Sequence, residues 1–454
     1  MKLFPIILAA GQGTRMNSAM PKVLHPIGGK PMLGHVIDSC KQLGASKIAV
    51  IYGHGGDQVQ SKFAHETIAW VHQAEQKGTG HAVAQSVDLI EDDDRIIIAY
   101  GDVPLIKANT LQALADSLDN ADLSILTTVL DDPTGYGRIV RENDAVSCIV
   151  EEKDADANIR TIKEVNSGFI AAKGLDLKRW LQQLSPENAQ GEYYLTDCVG
   201  MAVAEEKRVI TVICDNPAEV EGVNNRLQQA KLEREYQAEQ AQALMLSGVS
   251  LLDPARLDIR GSIQAGKDVI IDVNCVFIGQ VELGDNVVIE SNCVIQDSVI
   301  GDNVTIKANS VLESAKVASD CSVGPFARLR PGADLQQSAK VGNFVEIKKS
   351  IIGTGSKVSH LSYIGDTHMG DYVNIGAGTI TCNYDGINKH ITQIGNHAFI
   401  GSCSQLVAPV SIGDYATIGA GSTIAKNVPA NKLTLTRPIQ KTISGWQRPT
   451  KKKG

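Results

Sequence analysis

Hydrophobic residues in the first 225 positions follow two alternating patterns. Short β-rich runs occur at residues 5–10 (PIILAA), 47–53 (KIAVIYG), 95–102 (RIIIAYGD) and 123–129 (LSILTTV). Segments between them, such as residues 32–44 (MLGHVIDSCKQLG), have helical spacing and end in glycine. Strands that alternate with helices predict an α/β domain with a mostly parallel sheet and helices on both faces.

A long helix is predicted next, over residues 226–247 (RLQQAKLEREYQAEQAQALMLS). The segment contains neither glycine nor proline and consists mainly of good helix formers. Gly222 precedes it and Gly248 follows it. We therefore expect a nucleotide-binding domain at residues 1–225 and a linker helix at residues 226–250.

From residue 259 onward the spacing of apolar residues changes to six. The first run of this repeat comprises Ile259, Ala265, Ile271, Phe277, Leu283, Ile289 and Ile295. Neither a helix nor an ordinary strand has this period, whereas hexapeptide repetition is typical of a β-solenoid whose coils each contain three short strands. We predict an all-β domain at residues 251–437, a left-handed parallel β-helix, followed by a basic tail at residues 438–454. A scaffold or oligomerisation role remains open at this point.

The repeat is interrupted at residues 381–393 (TCNYDGINKHITQ). Ile375 and Ile394 lie nineteen residues apart, one more than three hexapeptides, so the length indicates no large insertion. A distorted coil and a short projecting loop are both compatible with this count. Asn, Tyr, Asp, Lys and His here replace packing residues, and local patterning often fails where a functional site lies.

Composition and charge restrict the class of protein. With 454 residues, 43% of them hydrophobic, and a formal charge of −8, the chain resembles a soluble multidomain protein rather than a general nucleic-acid binder. No acidic residue follows Asp414, so the basic end is either a solvated tail or a contact for a polyanionic ligand. Nine cysteines without a C-x-x-C pair favour free thiols in a reducing cytoplasm.

The N-terminus and the longer apolar runs do not indicate a membrane protein. The start MKLFPIILAAG mimics a short signal peptide, but Pro5 interrupts the run and GQGTRM follows at once. We interpret it as a strand that leads into a loop. No apolar run approaches the length of a membrane span.

A glycine-rich loop at residues 8–24 (LAAGQGTRMNSAMPKVL) follows the first predicted strand. Its glycines let backbone N–H groups approach phosphate oxygens, and Arg15 and Lys22 add charge-assisted contacts. A Walker A loop would end in Gly-Lys-Ser/Thr, and a dinucleotide fingerprint would need glycine in place of Met16. The motif is either a plain turn or a nucleotide-binding loop of another kind, and the two cations favour the second.

Residues 96–105 (IIIAYGDVPL) place Asp102 just beyond a buried strand, where open α/β sheets bind ligands. An aspartate there could simply cap the next element. Beside a phosphate loop it would also suit Mg²⁺, which takes few protein carboxylates and completes its coordination with phosphate oxygens.

Seven motifs give the sequence a specific resemblance. In chain order they are LAAGQGTRM…PK, QAEQKGTGHA, YGDVPL, DDPTGYGRI, EVNSG, NAQGEYYLTD and EVEGVNNR. They resemble those of sugar-1-phosphate nucleotidyltransferases. Together with the hexapeptide domain, the whole chain resembles the bacterial family of bifunctional N-acetylglucosamine-1-phosphate uridylyltransferases and glucosamine-1-phosphate acetyltransferases.

The resemblance implies a Rossmann-like N-terminal domain, Mg²⁺ as cofactor, and UTP and acetyl-CoA as co-substrates. It also implies a cytoplasmic homotrimer assembled through the β-helix, with no nucleic-acid partner and no integral membrane contact. In the implied order, glucosamine 1-phosphate is acetylated first. The product then attacks the α-phosphorus of UTP and releases pyrophosphate.

For the uridylyltransferase site, the resemblance implies that Arg15 and Lys22 contact the phosphates and that Gln73 reads uracil, since an amide can donate and accept at once. Asp102 and Asn224 would hold Mg²⁺. The full set of residues implied for nucleotide and sugar is Leu8, Ala9, Ala10, Gly11, Arg15, Lys22, Gln73, Gly78, Thr79, Tyr100, Gly101, Asp102, Gly137, Glu151, Asn166, Tyr194 and Asn224.

For the acetyltransferase site, the resemblance implies that His360 is the general base, because histidine titrates near neutrality. Asn383 and Tyr384 would help to orient it, and the backbone N–H near Ala377 would stabilise the oxyanion. The implied sugar-phosphate residues are Arg330, Lys348, Tyr363, Asn374 and Lys389. Those implied for acetyl-CoA are Ala377, Asn383, Tyr384, Ser402, Ala420 and Arg437.

Two other interpretations remain. One is a nucleotidyltransferase whose β-helix only oligomerises or regulates, but a spacer would have no use for His360, Tyr363, Asn383 or Lys389. The other is a solenoid scaffold with a degenerate N-terminal domain. The presence of Arg15, Lys22 and Asp102 argues against it.

Overall fold

The computed structural model describes residues 2–53 and 55–451. The chain divides into two compact units between Tyr236 and Gln237. The division falls inside the long helix Arg226–Leu246, the segment predicted from its lack of glycine and proline. Each unit is described by itself.

The first unit is an α/β domain. Its strands are β1 Lys2–Ala9, β2 Pro26–Ile27, β3 Lys30–Pro31, β4 Ala49–Tyr52, β5 Ala69–His72, β6 Asp94–Tyr100, β7 Leu123–Val129, β8 Arg138–Glu142, β9 Ala145–Val150, β10 Glu164–Lys173 and β11 Val209–Ile213. Its α-helices are α1 Met32–Gln42, α2 Gly56–Lys62, α3 Thr79–Ala84, α4 Ala108–Asp116, α5 Gly174–Gln183, α6 Asp197–Ala204, α7 Pro217–Val220 and the start of α8 Arg226–Leu246.

The main sheet of this unit has the strand order β11-β7-β10-β6-β1-β4-β5. All neighbours on this path are parallel except β10, which is antiparallel to both β6 and β7. Side chains of β1 alternate between the two faces, with Ile6 and Leu8 in one buried cluster and Ile7 in another. Burial of both faces explains why β1 is a continuous apolar run, and it confirms the predicted mostly parallel sheet.

The second unit is a parallel β-helix, as the period of six predicts. Its strands are β12 Ser250–Leu251, β13 Leu257–Ala265, β14 Ile270–Ile271, β15 Cys275–Leu283, β16 Val288–Ile289, β17 Val294–Gln296, β18 Val299–Ile300, β19 Thr305–Ile306, β20 Val311–Glu313, β21 Lys316–Val317, β22 Ser322–Val323, β23 Arg328–Leu329, β24 Ala333–Leu335, β25 Lys340–Asn343, β26 Glu346–Lys348, β27 Ser350–Ile352, β28 Lys357–His360, β29 Tyr363–Gly365, β30 Thr367–Met369, β31 Asn374–Ile375, β32 Ile380–Cys382, β33 Thr392–Ile394, β34 Phe399–Ile400, β35 Gln405–Val407, β36 Val410–Ile412, β37 Thr417–Ile418, β38 Thr423–Ile424 and β39 Leu433–Thr434.

The hexapeptide residues stack in register along the β-helix. On one face Val323 pairs with Val341, and Val341 pairs with Val358, so the same position recurs once in every coil. These side chains are fully buried. Because each coil is covered only by its neighbours, the repeat continues without a break through most of the unit.

Within the interruption at residues 381–393, residues 383–391 form a projecting loop. Strand β32 ends at Cys382 and β33 begins at Thr392, whereas β29 and β30 are separated by a single residue. Ile375 therefore pairs with Ile400, a much longer step along the chain than the step from Val358 to Ile375 in the preceding coil. Tyr384 and Lys389 form an antiparallel bridge across the loop. The expectation of no large insertion was wrong. Between Ile375 and Ile394 the chain makes only two steps from one packing position to the next, and the remaining length is an extra loop.

All nine cysteines are unpaired, as expected from their spacing. Among the residues that the structure describes, no helix combines the length and the apolar character needed to cross a membrane.

Candidate functional sites

The glycine-rich loop between β1 and β2 carries the predicted phosphate cations. Gly13 adopts the left-handed conformation with φ 62°, which a glycine reaches without strain. Met16 and Val23 are buried and anchor the loop to the body of the unit. Arg15 and Lys22 each lie next to one of these anchors, so burial of the apolar residues fixes where the two charges are presented.

The cations meet the predicted metal ligands at one edge of the sheet. The Lys22 ammonium forms an ion pair with Asp102, which follows β6. Lys22 Nζ also lies 3.3 Å from Asn224 Oδ1, and Arg15 Nη2 donates to the same oxygen at 2.9 Å. Since β1 and β6 are parallel neighbours, their carboxyl ends bring the loop and Asp102 together.

A cavity of about 290 Å³ opens beside this cluster. Predicted residues that line it are Leu8, Ala9, Ala10, Gly11, Lys22, Gln73, Gly78, Thr79, Tyr100 and Asp102. Gly101 lies in the same region, where its N–H donates to the carbonyl of Leu8 at 2.9 Å. The cavity is comparable in size to the smaller pockets that bind small molecules in proteins.

Gln73, the predicted base-reading residue, is 4% exposed and is held by two neighbours. Its Nε2 donates to the Gly78 carbonyl at 3.3 Å and lies 3.0 Å from His81 Nδ1. Gly78 has φ 106°, and a Cβ there would lie 2.6 Å from the Tyr193 carbonyl. The turn that holds Gln73 therefore requires glycine at this position.

A second cavity of about 380 Å³ shares Tyr100 and Asp102 with the first and adds Arg15 and Asn224. The predicted sugar residues form a further group. Asn166 N donates to the Gly137 carbonyl at 2.8 Å, and a Cβ on Gly137 would lie 3.4 Å from Glu151 Oε2.

Glu151 and Tyr194 have altered proton affinities. Burial, supported by the negative charges of Asp154 and Asp197, raises the pKa of Glu151 even though the Thr196 hydroxyl donates to it at 3.2 Å. Burial also raises the pKa of Tyr194, whose hydroxyl oxygen accepts from Gln190 Nε2 at 2.7 Å. Carboxyl groups with raised pKa values are frequent in functional sites.

In the β-helix, residues at the same position of successive coils form a single file. The pairs Val341–Val358, Val358–Ile375, Ile375–Ile400 and Ile400–Ile418 define the register. Two residues further along the chain from each of these positions, the file comprises Asn343, His360, Ala377, Ser402 and Ala420. The candidate base and three of the predicted acetyl-CoA residues therefore lie along one edge of the β-helix.

Arg437 lies at the end of this file. A Cβ on Gly419 would be 3.8 Å from Arg437 Nη2, and one on Gly421 would be 3.7 Å from its Cδ. Arg437 thus meets the file beside Ala420. In the part of the chain that the structure describes, the N–H of Ala377 has no hydrogen-bond acceptor.

The ring of His360 is held by Asn343, which the sequence analysis did not identify. His360 Nδ1 lies 2.9 Å from Asn343 Oδ1. Asn383 instead contacts Asp366 and the Tyr363 hydroxyl, the latter at 3.4 Å, and Tyr384 donates to the Gly386 carbonyl at 2.5 Å. Asn383 and Tyr384 contact other residues of their own chain, so their expected role in orienting His360 stays a prediction.

A charged cluster lies near Asn383. Arg330 Nη1 bonds Glu346 at 2.8 Å, and Lys348 Nζ lies 3.8 Å from Asp366. Lys389 carries a further positive charge in this cluster, and the Lys348 ammonium lowers its pKa. Such a pair favours a bound anion, because a dianion would neutralise both charges.

Tyr363 and Asn374 complete the predicted sugar-phosphate group. A Cβ on Gly365 would clash with the Tyr363 hydroxyl, so glycine leaves room for the phenol ring. Asn374 lies on β31 and pairs with Lys357, three residues before His360. Asn374 therefore lies on the face of the β-helix that carries the file, and not beside Lys348.

Besides Asn343, the sequence analysis missed Gln76, His81 and Glu192. Gln76 and Glu192 line the first cavity. Gln76 and His81 both lie in the motif QAEQKGTGHA, so the motif itself was the available signal. Asn343 lies one coil before His360, a relation that became identifiable only with the fold.

The chain combines a cavity at the edge of a mostly parallel sheet with a polar file on a hexapeptide β-helix, an arrangement expected of a two-domain transferase. Family models agree with this division. The MobA-like NTP transferase domain matches residues 5–144, the hexapeptide repeat of succinyl-transferase matches residues 263–297, and the bacterial transferase hexapeptide matches residues 391–426.

Two relatives match from end to end. A protein of Idiomarina loihiensis named Bifunctional protein GlmU is 58% identical over 455 residues, with 100% of both chains covered. A protein of Marinobacter nauticus with the same name is 54% identical over 450 residues, with 99% of both chains covered. The chain belongs to the GlmU family of bifunctional enzymes, which combine a uridylyltransferase with a glucosamine-1-phosphate acetyltransferase.

Proposed function

We propose that this chain makes UDP-N-acetylglucosamine in two steps, each at its own site. Acetyl-CoA first acetylates glucosamine 1-phosphate in the β-helix unit. The resulting N-acetylglucosamine 1-phosphate then reacts with UTP in the α/β unit. The observation that carries this proposal is the presence of two separate clusters of reactive residues, one around Asp102 and one around His360.

For the uridylyl site we propose Asp102 and Asn224 as the Mg²⁺ ligands. Their side-chain oxygens already converge on one cation, the Lys22 ammonium, and oxygen donors in small number suit Mg²⁺. When bound, the metal would neutralise charge on the phosphates. Arg15 and Lys22 would hold the triphosphate and the sugar phosphate in line, so that a sugar-phosphate oxygen bonds to the α-phosphorus while pyrophosphate leaves.

Gln73 would read uracil, and Glu151 with Asn166 would bind the sugar. The two amide hydrogens of Gln73 are directed at Gly78 and His81, which leaves Oε1 as an acceptor for the imide N–H of the base. Glu151 lies beside Gly137, where its carboxylate oxygens would accept from sugar hydroxyls.

For acetyl transfer we propose that His360 takes a proton from the sugar amine as the amine attacks the thioester carbonyl. The new C–N bond forms, the C–S bond breaks, and CoA leaves. The Ala377 N–H would stabilise the oxyanion. Lys348 and Lys389, with Arg330, Tyr363 and Asn374, would hold the sugar phosphate. Ser402, Ala420 and Arg437 would contact CoA along the file.

We further propose a homotrimer built on the β-helix. Phe326 and Phe344 stack with ring centroids 5.3 Å apart, yet they are 49% and 56% exposed. Leu361, adjacent to His360, is 62% exposed. An exposed apolar corner next to the candidate base supports a pocket completed by a second copy of the chain. The nine unpaired cysteines support a cytoplasmic location.

Single-site variants test the two-site proposal. His360→Ala should abolish acetyl transfer and leave uridylyl transfer from N-acetylglucosamine 1-phosphate near normal. Asp102→Ala should do the reverse. Equal loss of both activities in a folded variant would refute separate sites, and unchanged Mg²⁺-dependent pyrophosphate release by Asp102→Ala would remove Asp102 from the metal site.

A further inference from the structure

We infer that Asn343 is the positioning residue for the general base of acetyl transfer, and that it fixes the tautomer of His360. The inference rests on the proposed role of His360. It extends that role to a residue one coil away that has no predicted contact with either substrate.

The two strands approach each other closely beside this pair. Asn343 ends β25 and His360 ends β28, and the two residues are in register. One residue earlier, a Cβ on Gly342 would clash with the Ser359 carbonyl oxygen. Glycine at position 342 is therefore needed for this approach. The Asn343 carbonyl also accepts from Leu361 N at 3.0 Å, which fixes the backbone on both sides of the ring.

The contact between the side chains determines the protonation pattern of the ring. Asn343 Oδ1 is 2.9 Å from His360 Nδ1, and a carbonyl oxygen only accepts. With the Asn343 amide in this orientation, Nδ1 carries the hydrogen, which leaves the lone pair on Nε2. A general base needs an unprotonated nitrogen directed at the substrate, so this tautomer is the productive one.

The file of residues places this contact on the side opposite the acetyl group. Along the β-helix, Asn343 precedes His360 by one coil and Ala377 follows it by one coil. We proposed Ala377 for the oxyanion, so the thioester would lie on the C-terminal side of the ring. Asn343 thus engages the nitrogen that does not take part in proton transfer.

Charged groups near the pair come from the strands that flank it. On β25 the charged residue is Lys340, and on β28 it is Lys357, which pairs with Lys340 in register. The other neighbour, β31, contributes Asn374 and Ile375, which carry no charge. Substitutions at Asn343 leave both lysines in place. A difference between the pH-rate profiles of a variant and the wild type will therefore report on residue 343.

The test compares Asn343→Ala, Asn343→Asp and a matched control in the intact protein. For Asn343→Ala we expect kcat of acetyl transfer to fall by about tenfold to a hundredfold, as when partners that orient a functional histidine are removed. KM for both substrates should change by less than about twofold, because the residue touches neither.

Asn343→Asp keeps an acceptor and should retain most of the activity at high pH. The acid limb of its pH-rate profile should move to higher pH, because a carboxylate stabilises the imidazolium.

The control is Gln337→Ala, which removes a side-chain amide that bonds Asp320 at 3.0 Å across adjacent coils. It should leave kcat unchanged, and uridylyl transfer should be normal in every variant. The inference is overturned if Asn343→Ala is fully active, if it raises KM without lowering kcat, or if Asn343→Asp is as impaired as Asn343→Ala with an unmoved acid limb. The His360→Ala variant distinguishes failure of the proposed base from failure of the proposed role of Asn343. If that variant still transfers acetyl groups, the proposed base is wrong and the role of Asn343 falls with it.

Discussion

Removal of the projecting loop should separate the fold of the β-helix from its chemistry. We consider deletion of residues 384–390, which joins Asn383 directly to Ile391. The remaining two-residue connection matches sister coils, since β17 and β18 are joined by residues 297–298 and β35 and β36 by residues 408–409. Strands β32 and β33 keep their partners in both neighbouring coils.

The expected change in stability is small. Ile387 is 86% exposed and Tyr384 is 59% exposed, so the deletion removes little buried apolar surface. The polar contacts that it removes are mostly within the loop, such as His390 Nε2 with Asp385 Oδ2 at 2.6 Å. Shortening the connection from nine residues to two lowers the closure entropy by about 1 kcal/mol, which offsets much of the loss. We expect the melting temperature of the β-helix to stay within about 4 °C of wild type.

Acetyl transfer should nevertheless fall at least tenfold, since Lys389 is removed from the proposed pocket. The assay is CoA release from acetyl-CoA and glucosamine 1-phosphate, with uridylyl transfer as the internal control and calorimetry and solution size as checks on the fold. A deletion variant with normal acetyl transfer would refute the assignment of the loop to the pocket. A variant whose β-helix unfolds would show that the loop is structural.

Three further substitutions test other parts of the account. Gly78→Ala should destabilise the α/β unit by about 1–3 kcal/mol and weaken UTP binding, because its φ is 106° and Tyr193 leaves no room for a Cβ. Gly200→Ala is the control, because a Cβ at position 200 would have no atom within 4 Å. Equal effects of the two substitutions would contradict the expected strain at position 78. Ile347→Ala should cost the β-helix about 2–5 kcal/mol and Ile347→Val about 0.5–1.5 kcal/mol, since the side chain is 0% exposed between Leu329 and Ile364. Loss of uridylyl transfer in these variants would argue against independent units. Glu151→Gln should weaken binding of the sugar phosphate about tenfold. Because the folded protein raises the pKa of Glu151, wild-type stability falls as pH rises through that pKa, so the variant should melt higher at pH 7, and this advantage should vanish toward about pH 4. A pH-independent difference would refute the effect of burial.

Much of the fold was predictable because burial imposes a regular spacing on the apolar residues along the chain. The runs at residues 5–10, 47–53, 95–102 and 123–129 all form strands, since a sheet buried on both faces selects continuous apolar segments. The β-helix was predictable for a related reason, because each coil presents one inward residue every six positions. Antiparallel β10 was not evident, since strand direction leaves no mark on local composition.

The projecting loop was misjudged because a count along the chain does not show which residues pack. Ile375 to Ile394 spans one residue more than three hexapeptides, yet only one hexapeptide packing position, Thr381, lies between them in the structure. Pairing between coils, which the sequence does not contain explicitly, reveals the insertion.

The site was predictable in part. Arg15, Lys22 and Asp102 converge as their motifs indicate, because parallel strands end at the same edge of the sheet. The contact between Asn343 and His360 depends on coil length, which is not constant, since the step from Val323 to Val341 is one residue longer than the next. An error of one residue in the assumed register would turn a side chain to the opposite face. The partner of His360 therefore became identifiable only with the fold.

The central claim is that one chain performs acetylation and then uridylylation at separate sites. Its most direct test is a time course with glucosamine 1-phosphate, acetyl-CoA, UTP and Mg²⁺ in which CoA and pyrophosphate are measured separately. We predict that CoA release precedes pyrophosphate release, and that omission of acetyl-CoA suppresses pyrophosphate formation until N-acetylglucosamine 1-phosphate is supplied. Pyrophosphate formed from glucosamine 1-phosphate at an equal rate without acetyl-CoA, or no CoA release at all, would contradict the account.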